Sequence, residues 1–443
     1  MIHALTKTAR ICFITALVVA SALAGLFVIR NLIDFPIYHL AGQSLLRGRT
    51  DLYSPEYSGG TLMDYRYPPF FLVFFTPLWL LPYKAAAYVW YALCIAETCV
   101  CVAAVRCALR GSRSDAKNIG ILKTVWTIAL LAVGQYYVMI LHYGNAHLLA
   151  ICLLFGSFYY ALRNKKTFAA LLMALAITIK LTPLLTLPYF AVKKQWTLLV
   201  LTALFLALIN LAPGLYFGFG KNAQLLKTWY AQVVADERYQ EYHEINGPVN
   251  LSLKGQLRRY LTVLDYSQRY GGDRKYPLIN FANLSVSQVN RIWKVNVAAL
   301  YAVCLGAIWW ASRGITNIRS EGETVGGFAG FGKNSLLEIG IMICLMLIAS
   351  PSTSKVYFIA LLWPAACLAY FTETTRSVSA QACRVALILL AAINLMLPLL
   401  PGSPTQRMLL VIGTDFYVCL LLLLLQLVAL IVNRHESVIA AHS

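Results

Sequence analysis

Charge is what this sequence has least of: Asp and Glu number 18 and Lys and Arg 37, together 12% of 443 residues. A chain that folds in water carries about twice that share, so a soluble domain with a charged shell is excluded. No acidic pair or DxD-like motif among the few carboxylates suggests a nucleotide-sugar site. The 11 cysteines lie in or beside apolar segments, Cys94, Cys99, Cys101, Cys304 and Cys344 among them, and none falls in the polar stretch 214–291. No disulfide framework is readable, and Cys99-Val100-Cys101 lacks the histidines or second pair of a zinc site, so it reads as helix packing. His142 and His147, five apart across a turn, do not share a helical face, which argues against a metal. No internal repeat, separate soluble domain or cofactor motif appears.

Apolar residues are abundant, at 59% with a mean hydropathy of +0.66. Runs such as Ile11 to Ile29, Val385 to Leu400 and Met408 to Val432 approach or exceed the roughly 20 residues that cross a hydrocarbon core of about 30 Å. Backbone groups in lipid must be satisfied within each segment, so the spans are helices. The expected fold is an all-α polytopic integral membrane protein, one membrane-embedded domain over 1–443 with about 12 transmembrane helices.

The net charge of +19 does not mark a nucleic-acid partner, because its cations are scattered in short clusters between spans. Lys7 and Arg10, Arg163 to Lys166, Lys193 and Lys194, Arg313 to Lys333, Arg376 to Arg384 and Arg434 place the cytoplasmic face under the positive-inside rule. The basic start, apolar run and Ser21-Ala22-Leu23-Ala24 look like a cleavable signal, but the run continues through Leu26 to Ile29, so a retained first span is expected.

With both termini inside, residues 31–67 form a first outer loop. Pro36, the stripe Ile37, Leu40, Leu45 and Leu46, and the closing Gly48 predict a short interfacial helix there. Residues 68–107, broken by Pro68, Pro69, Pro77 and Pro82, are expected to hold one full span plus a re-entrant or interfacial piece, two full spans being the rival. Spans follow near 124–141 and up to Arg163, joined by the outer turn His142 to His147. Two short limbs, 167–179 and 183–192, meet at Lys180-Leu181-Thr182-Pro183, an apex expected below the outer surface. A span at 197–213 leads to a large outer segment, 214–291, too long for a mere connector. Spans near 293–312, 335–350, 356–371, 384–400 and 408–432 complete the chain.

This topology gathers Asp34, Arg66, His142, Asn145, Lys180, Asn250, Arg258 and Lys355 on the outer face, where ionisable groups at bilayer depth are functional candidates. Asp34 is either a helix N-cap or a general base. Lys180 either snorkels to a headgroup or clamps an anion. The turn with His142, Asn145 and His147 is structural or bonds a polar ligand. Asn250 to Arg258 reads locally as an amphipathic surface helix, and Tyr67-Pro68-Pro69 as a helix start.

Taken in order, several short motifs resemble the polyprenyl-phosphate-dependent glycosyltransferases of the GT-C superfold, most closely glycosyltransferase family 87, which includes mannosyltransferases. The motifs are Asp34 with Tyr38, Ala41, Leu45 and Gly48; Leu52-Tyr53; Tyr67-Pro68-Pro69; Gly144-Asn145; Lys180-Leu181-Thr182-Pro183; Asn250-Leu251-Ser252 with Gly255 and Arg258; and Ser350-Pro351. The resemblance implies Asp34 as catalytic base and Lys180 near the donor phosphate, helped by Arg66 or His142. It makes Tyr67, Asn145, Asn250, Arg258, Lys355 and Tyr357 substrate-binding candidates, in a site open to the periplasmic or extracellular side of the plasma membrane. The implied reaction moves a hexose such as mannose, with inversion, from a polyprenyl-phosphate-linked donor to a lipid or glycan acceptor among membrane lipids, without cofactor or metal. Where relatives often carry Trp and then His after Ser350-Pro351, this chain has Ser352-Thr353-Ser354-Lys355-Val356-Tyr357. Lys355 or Tyr357 then takes over that polar role, or the acceptor differs. Asn145 stands where many relatives have Gln and keeps the amide. A transporter or lipid flippase, the alternative, would show related halves with matching broken helices, and neither is visible.

Overall fold

The computed structural model describes residues 25–30, 32–53, 65–112, 119–235, 249–264, 276–313, 334–375, 377–396 and 403–442. Every regular element among them is helical. The principal helices are α1 (Phe35–Leu46), α2 (Tyr83–Ser112), α3 (Ile119–Tyr143), α4 (His147–Leu162), α5 (Lys166–Ile179), α6 (Trp196–Leu211), α7 (Leu253–Leu261), α8 (Val286–Arg313), α9 (Ser335–Ala349), α10 (Leu362–Thr374), α11 (Val378–Met396), α12 (Pro404–Ile412) and α13 (Thr414–His442). Seven helical stretches among the described residues are long and apolar enough to cross a membrane: Tyr83–Arg110, Gly120–Tyr143, Trp196–Phe217, Val286–Ser312, Lys355–Thr374, Val378–Met396 and Thr414–Arg434. Shorter apolar helices fill His147–Leu162, Lys166–Ile179, Thr182–Val192 and Ser335–Ala349. The architecture is that of an all-α polytopic membrane protein. Most of the first expected span lies outside the described residues, and the expected count of about 12 rests partly on it.

Burial separates lipid-facing helices from the centre. On α6, Val200, Leu204, Leu208 and Leu211 recur at helical spacing and stay exposed, an apolar stripe that water would punish and lipid accepts. Every residue of α9 is buried. Every residue from Phe358 to Thr372 is buried too, so α9 and α10 form the protein-facing centre of the bundle. An ion pair anchors the first turn of α9: Lys193 Nζ lies 2.8 Å from Glu338, which also accepts from the Tyr189 hydroxyl at 3.0 Å. Glu338 stands in that first turn, where the helix dipole favours a carboxylate.

Helix α1 starts with Pro in its first turn and ends on Gly48 at φ +79°. Gly48 N–H bonds Leu45 O at 2.9 Å and Arg49 N–H bonds Ser44 O at 3.1 Å, the paired closure of a Schellman motif. The expected apolar stripe splits: Ile37 and Leu45 are buried while Leu40 and Leu46 stay exposed. The cause is docking, since Gly42 lies directly against the Trp79 ring, and Phe35 and His39 also pack on it. Trp79 belongs to the piece expected before the span. Pro69–Phe74 and Thr76–Trp79 form short helices and Tyr83–Ser112 one long one, so two full spans do not form here.

The two short limbs are α5 and, beyond a 3-10 turn at Thr182–Thr186, the helix Leu187–Val192. Lys180 ends α5 in extended backbone, φ −146° and ψ 129°, with Pro183 in the first turn of the segment that follows. The turn between α3 and α4 pivots on Gly144 at φ +63°, where a side chain would press on Leu32 at 3.0 Å and Phe35 at 3.2 Å. Trp90 Nε1 donates to Gly144 O at 2.9 Å, tying α2 to the same turn.

Candidate active site

Asp34 occupies the N-cap position of α1 without doing a cap's work. Its backbone is in the helical region, and its side chain accepts no bond from the helix start. Its N–H donates to Tyr143 O at 2.9 Å, fixing it beside the α3–α4 turn. Asp34 Oδ2 instead accepts from Asn145 Nδ2 at 2.7 Å. Asn145 Oδ1 accepts the His147 backbone N–H at 2.7 Å, and since only the amide oxygen accepts, this contact orients the amide nitrogen toward Asp34. Burial pushes the Asp34 carboxyl above its ordinary 3.8, opposed by the Asn145 bond and by the charge of Lys180.

Lys180 reaches the same place from the break after α5. Its Nζ lies 4.8 Å from the centre of the Tyr357 ring and 5.8 Å from that of Tyr67. It is also close enough to Asp34 for the two charges to act on each other. An ammonium between two ring faces keeps part of its solvation at low dielectric. The Tyr67 and Tyr38 hydroxyls meet at 2.8 Å, and Tyr38 Oη accepts the Ala146 N–H at 3.4 Å. Burial pushes the Tyr67 phenol up to about 12 against the pull of Lys180 and Tyr38, so it stays protonated. His147, fully buried at the start of α4, stacks on Tyr357 with ring centres 3.9 Å apart.

Five chain segments thus bring together Asp34 and Tyr38, Tyr67, Asn145 and His147, Lys180, and Tyr357. Of the residues expected from sequence, Asp34, Tyr67, Asn145, Lys180 and Tyr357 meet here. His142 does not: it is exposed and contacts the ring of its neighbour Tyr143, because the final turn of α3 points it away while the next turn buries His147. Arg66 offers its carbonyl to Trp229 Nε1 at 2.9 Å, and the adjacent Tyr67 is the one that meets Lys180.

Asn250 serves the fold next door. Its Oδ1 accepts the N–H groups of Ser252 and Thr353, each at 3.1 Å, and its Nδ2 donates to Pro351 O at 3.0 Å. It therefore staples the chain at Asn250–Ser252 to the Ser350-Pro351 loop, just ahead of the 3-10 segment Lys355–Leu361 that carries Tyr357. Helix α7 is not the surface helix its pattern suggests, since Lys254, Gly255, Gln256, Arg258 and Arg259 are all buried. Gly255 sits against the Asn250 backbone, Ser252 caps the helix at 3.3 Å and Arg259 Nη1 donates to Asn250 O at 2.8 Å, which turns the polar face inward.

Lys355 and Tyr357 leave their 3-10 segment in different directions. Lys355 pairs with Asp415 at 3.8 Å, and Asp415 accepts from the Tyr136 hydroxyl at 2.8 Å. Asn394 Nδ2 donates to Ala132 O at 2.6 Å and its Oδ1 faces the same hydroxyl at 3.3 Å. Lys355 is thereby an anchor between α3, α11 and α13, and Tyr357 is the member of the pair that meets Lys180. Sequence reasoning missed His147 and Asp415. His147 stands two residues past Asn145, and its spacing from His142 suggests first a structural turn and then a polar-ligand contact, without telling the two histidines apart; Asp415 opens α13 directly after a Gly-Thr turn, a weak signal.

Fold and site together define a polytopic helical membrane protein with a carboxylate and a cation set against one another at a helix break. A family model of glycosyltransferase family 87 matches residues 65–331, more than half of the chain, and the chain belongs to that family. It is accordingly a glycosyltransferase. No curated protein and no solved structure matches it. Asp34 and Tyr357 lie outside the matched stretch, yet the geometry brings both to Lys180, which lies inside it.

Proposed function

We propose that this protein transfers a hexose, mannose being the family precedent, from a polyprenyl-phosphate-linked donor to a hydroxyl of a lipid or glycan acceptor, with inversion, at the outer face of the plasma membrane. The observation that carries this reading is the Asp34 carboxylate, released from capping, oriented by Asn145 and set in the field of Lys180. The Asp34 oxygen not held by Asn145 takes the proton of the acceptor hydroxyl as the acceptor's oxygen attacks the anomeric carbon from the face opposite the phosphate. The bond from that carbon to the phosphate oxygen breaks, polyprenyl phosphate departs, and Lys180 stabilises the charge gathering on it. A carboxyl raised above its ordinary range is a stronger base than a solvated aspartate.

The outward orientation is supported by charge. The helices whose ends hold Asn145, His147 and Lys180 meet at their other ends in Arg163, Lys165 and Lys166, the cytoplasmic signature. Family membership favours glycosyl transfer over the transporter or flippase alternative.

The test is purified protein in nanodiscs given a radiolabelled short-chain prenyl-phosphate mannose or a nucleotide-linked mannose, with a membrane-lipid extract as acceptor. Transfer from the lipid-linked donor is expected. Transfer from the nucleotide-linked donor alone would overturn the reading.

A further inference from the structure

The imidazole of His147 is fully buried, and neither ring nitrogen has a hydrogen-bond partner among the described residues. Such a group costs free energy in the folded protein and calls for an explanation. Local structure supplies none: the Asn145 bond goes to the His147 backbone, not to its ring. One ring face is covered by Tyr357, so a ligand meets the imidazole at its edge, where both nitrogens lie. Lys180 is near enough for its charge to act on this ring, and its Nζ lies 4.8 Å from the centre of the Tyr357 ring.

A neutral imidazole always carries one N–H. Ammonium, phenol and imidazole, neighbours here, each carry a hydrogen to donate. A sugar hydroxyl, with two lone pairs and a hydrogen of its own, cannot accept from all three and fit beside a cation. An anion with several oxygens can.

We propose that His147 is a direct ligand of the substrate phosphate, completing with Lys180 and Tyr357 a three-donor cradle that holds the donor's phosphodiester and, more tightly, the phosphate monoester that leaves. This rests on the proposed donor class and adds to it a binding residue and a consequence: polyprenyl phosphate is a product inhibitor whose affinity depends on His147. A charge-assisted hydrogen bond to phosphate implies that its loss weakens phosphate binding about 10- to 100-fold.

The probes are geranyl phosphate and geraniol, titrated calorimetrically into wild type, His147→Phe and His147→Gln in nanodiscs. Phenylalanine keeps the stack on Tyr357 and removes both nitrogens; glutamine keeps an N–H donor. Wild type should bind geranyl phosphate well above geraniol. His147→Phe should lose about 10- to 100-fold for the phosphate with geraniol unchanged, and His147→Gln should recover part of the loss. Equal binding of the two probes by wild type would sink the phosphate assignment of the site itself. Discrimination that persists undiminished in His147→Phe would overturn the role of His147 alone, as would equal losses in both variants. A readout independent of variant folding is nitrogen NMR of wild type with labelled histidine: one imidazole should shift with geranyl phosphate and not with geraniol, and no shift overturns the proposal.

Discussion

Asp34→Asn is the substitution that separates a base from a scaffold most cleanly at this site. The amide has the shape of the carboxyl and still offers one oxygen to Asn145 Nδ2, the 2.7 Å bond that fixes the turn. Asparagine is also among the best N-cap residues, so a purely structural Asp34 would tolerate the exchange. What asparagine cannot do is take a proton. General-base assistance is worth roughly 10²- to 10⁴-fold, and transfer should fall by that order at saturating donor and acceptor. Folding should survive, because the lost charge leaves Lys180 still set against the rings of Tyr357 and Tyr67. The assay is initial transfer rate in nanodiscs beside size-exclusion elution and a thermal melt. A rate within a few-fold of wild type, with the melt unchanged, would refute Asp34 as the base.

The same residue sets a pH signature with a definite sign. A base works ionised, so activity falls as pH drops through its pKa. Burial raises the Asp34 carboxyl above the ordinary 3.8, so the acid limb of the kcat/KM profile should lie above the position of a solvated aspartate. Asp34→Asn should lose that limb along with the rate, and a limb kept at its wild-type position would belong to another group.

Lys180→Met should raise the KM for a prenyl-phosphate donor by about tenfold or more while leaving expression close to wild type, since the cation's partner on substrate is an anion. Lys180→Arg should restore only part of this, the planar head being unable to take the same place between the Tyr67 and Tyr357 rings; donor saturation unchanged in Lys180→Met would return this lysine to snorkelling. Lys355→Met removes the partner of a buried Asp415 and should lower stability by roughly 1–3 kcal/mol, read as a lower melting temperature, and lose more stability than Tyr357→Phe; the reverse order would reject the anchor role. For topology, Lys221→Cys, exposed in the segment 214–291, should react with an impermeant maleimide on intact cells, and Lys166→Cys only after permeabilisation; the opposite pattern inverts the proposed membrane orientation.

Composition and helix breaks carried most of the architecture into view, because lipid imposes a harsh rule: long apolar runs must be helices and prolines or polar residues between them must mark ends. The Lys180 apex, the proline-broken stretch before α2 and the helix from Phe35 to Leu46 all follow from that rule. Hydropathy could not show which apolar helices face lipid and which face protein, since both solvents accept the same side chains. Helices α6 and α9 look alike in composition, yet one exposes a leucine stripe and the other is buried throughout.

The site was legible where a motif stood at a break and illegible where tertiary packing assigned direction. Asp34, Asn145 and Lys180 announce themselves as polar residues at helix ends. The choice between His142 and His147 depends on which side of Gly144 turns inward, and the choice between Lys355 and Tyr357 on how a 3-10 segment rolls between α3 and α4. Helix α7 shows the limit most plainly. Its amphipathic pattern correctly gives a two-faced helix, but periodicity says only that faces differ, and water is not the only polar environment. Here the polar face meets Asn250 and the protein interior, with Gly255 permitting the close approach. A polar face read from sequence thus locates polar surroundings, and whether these are solvent or a functional site has to be decided by what packs against it.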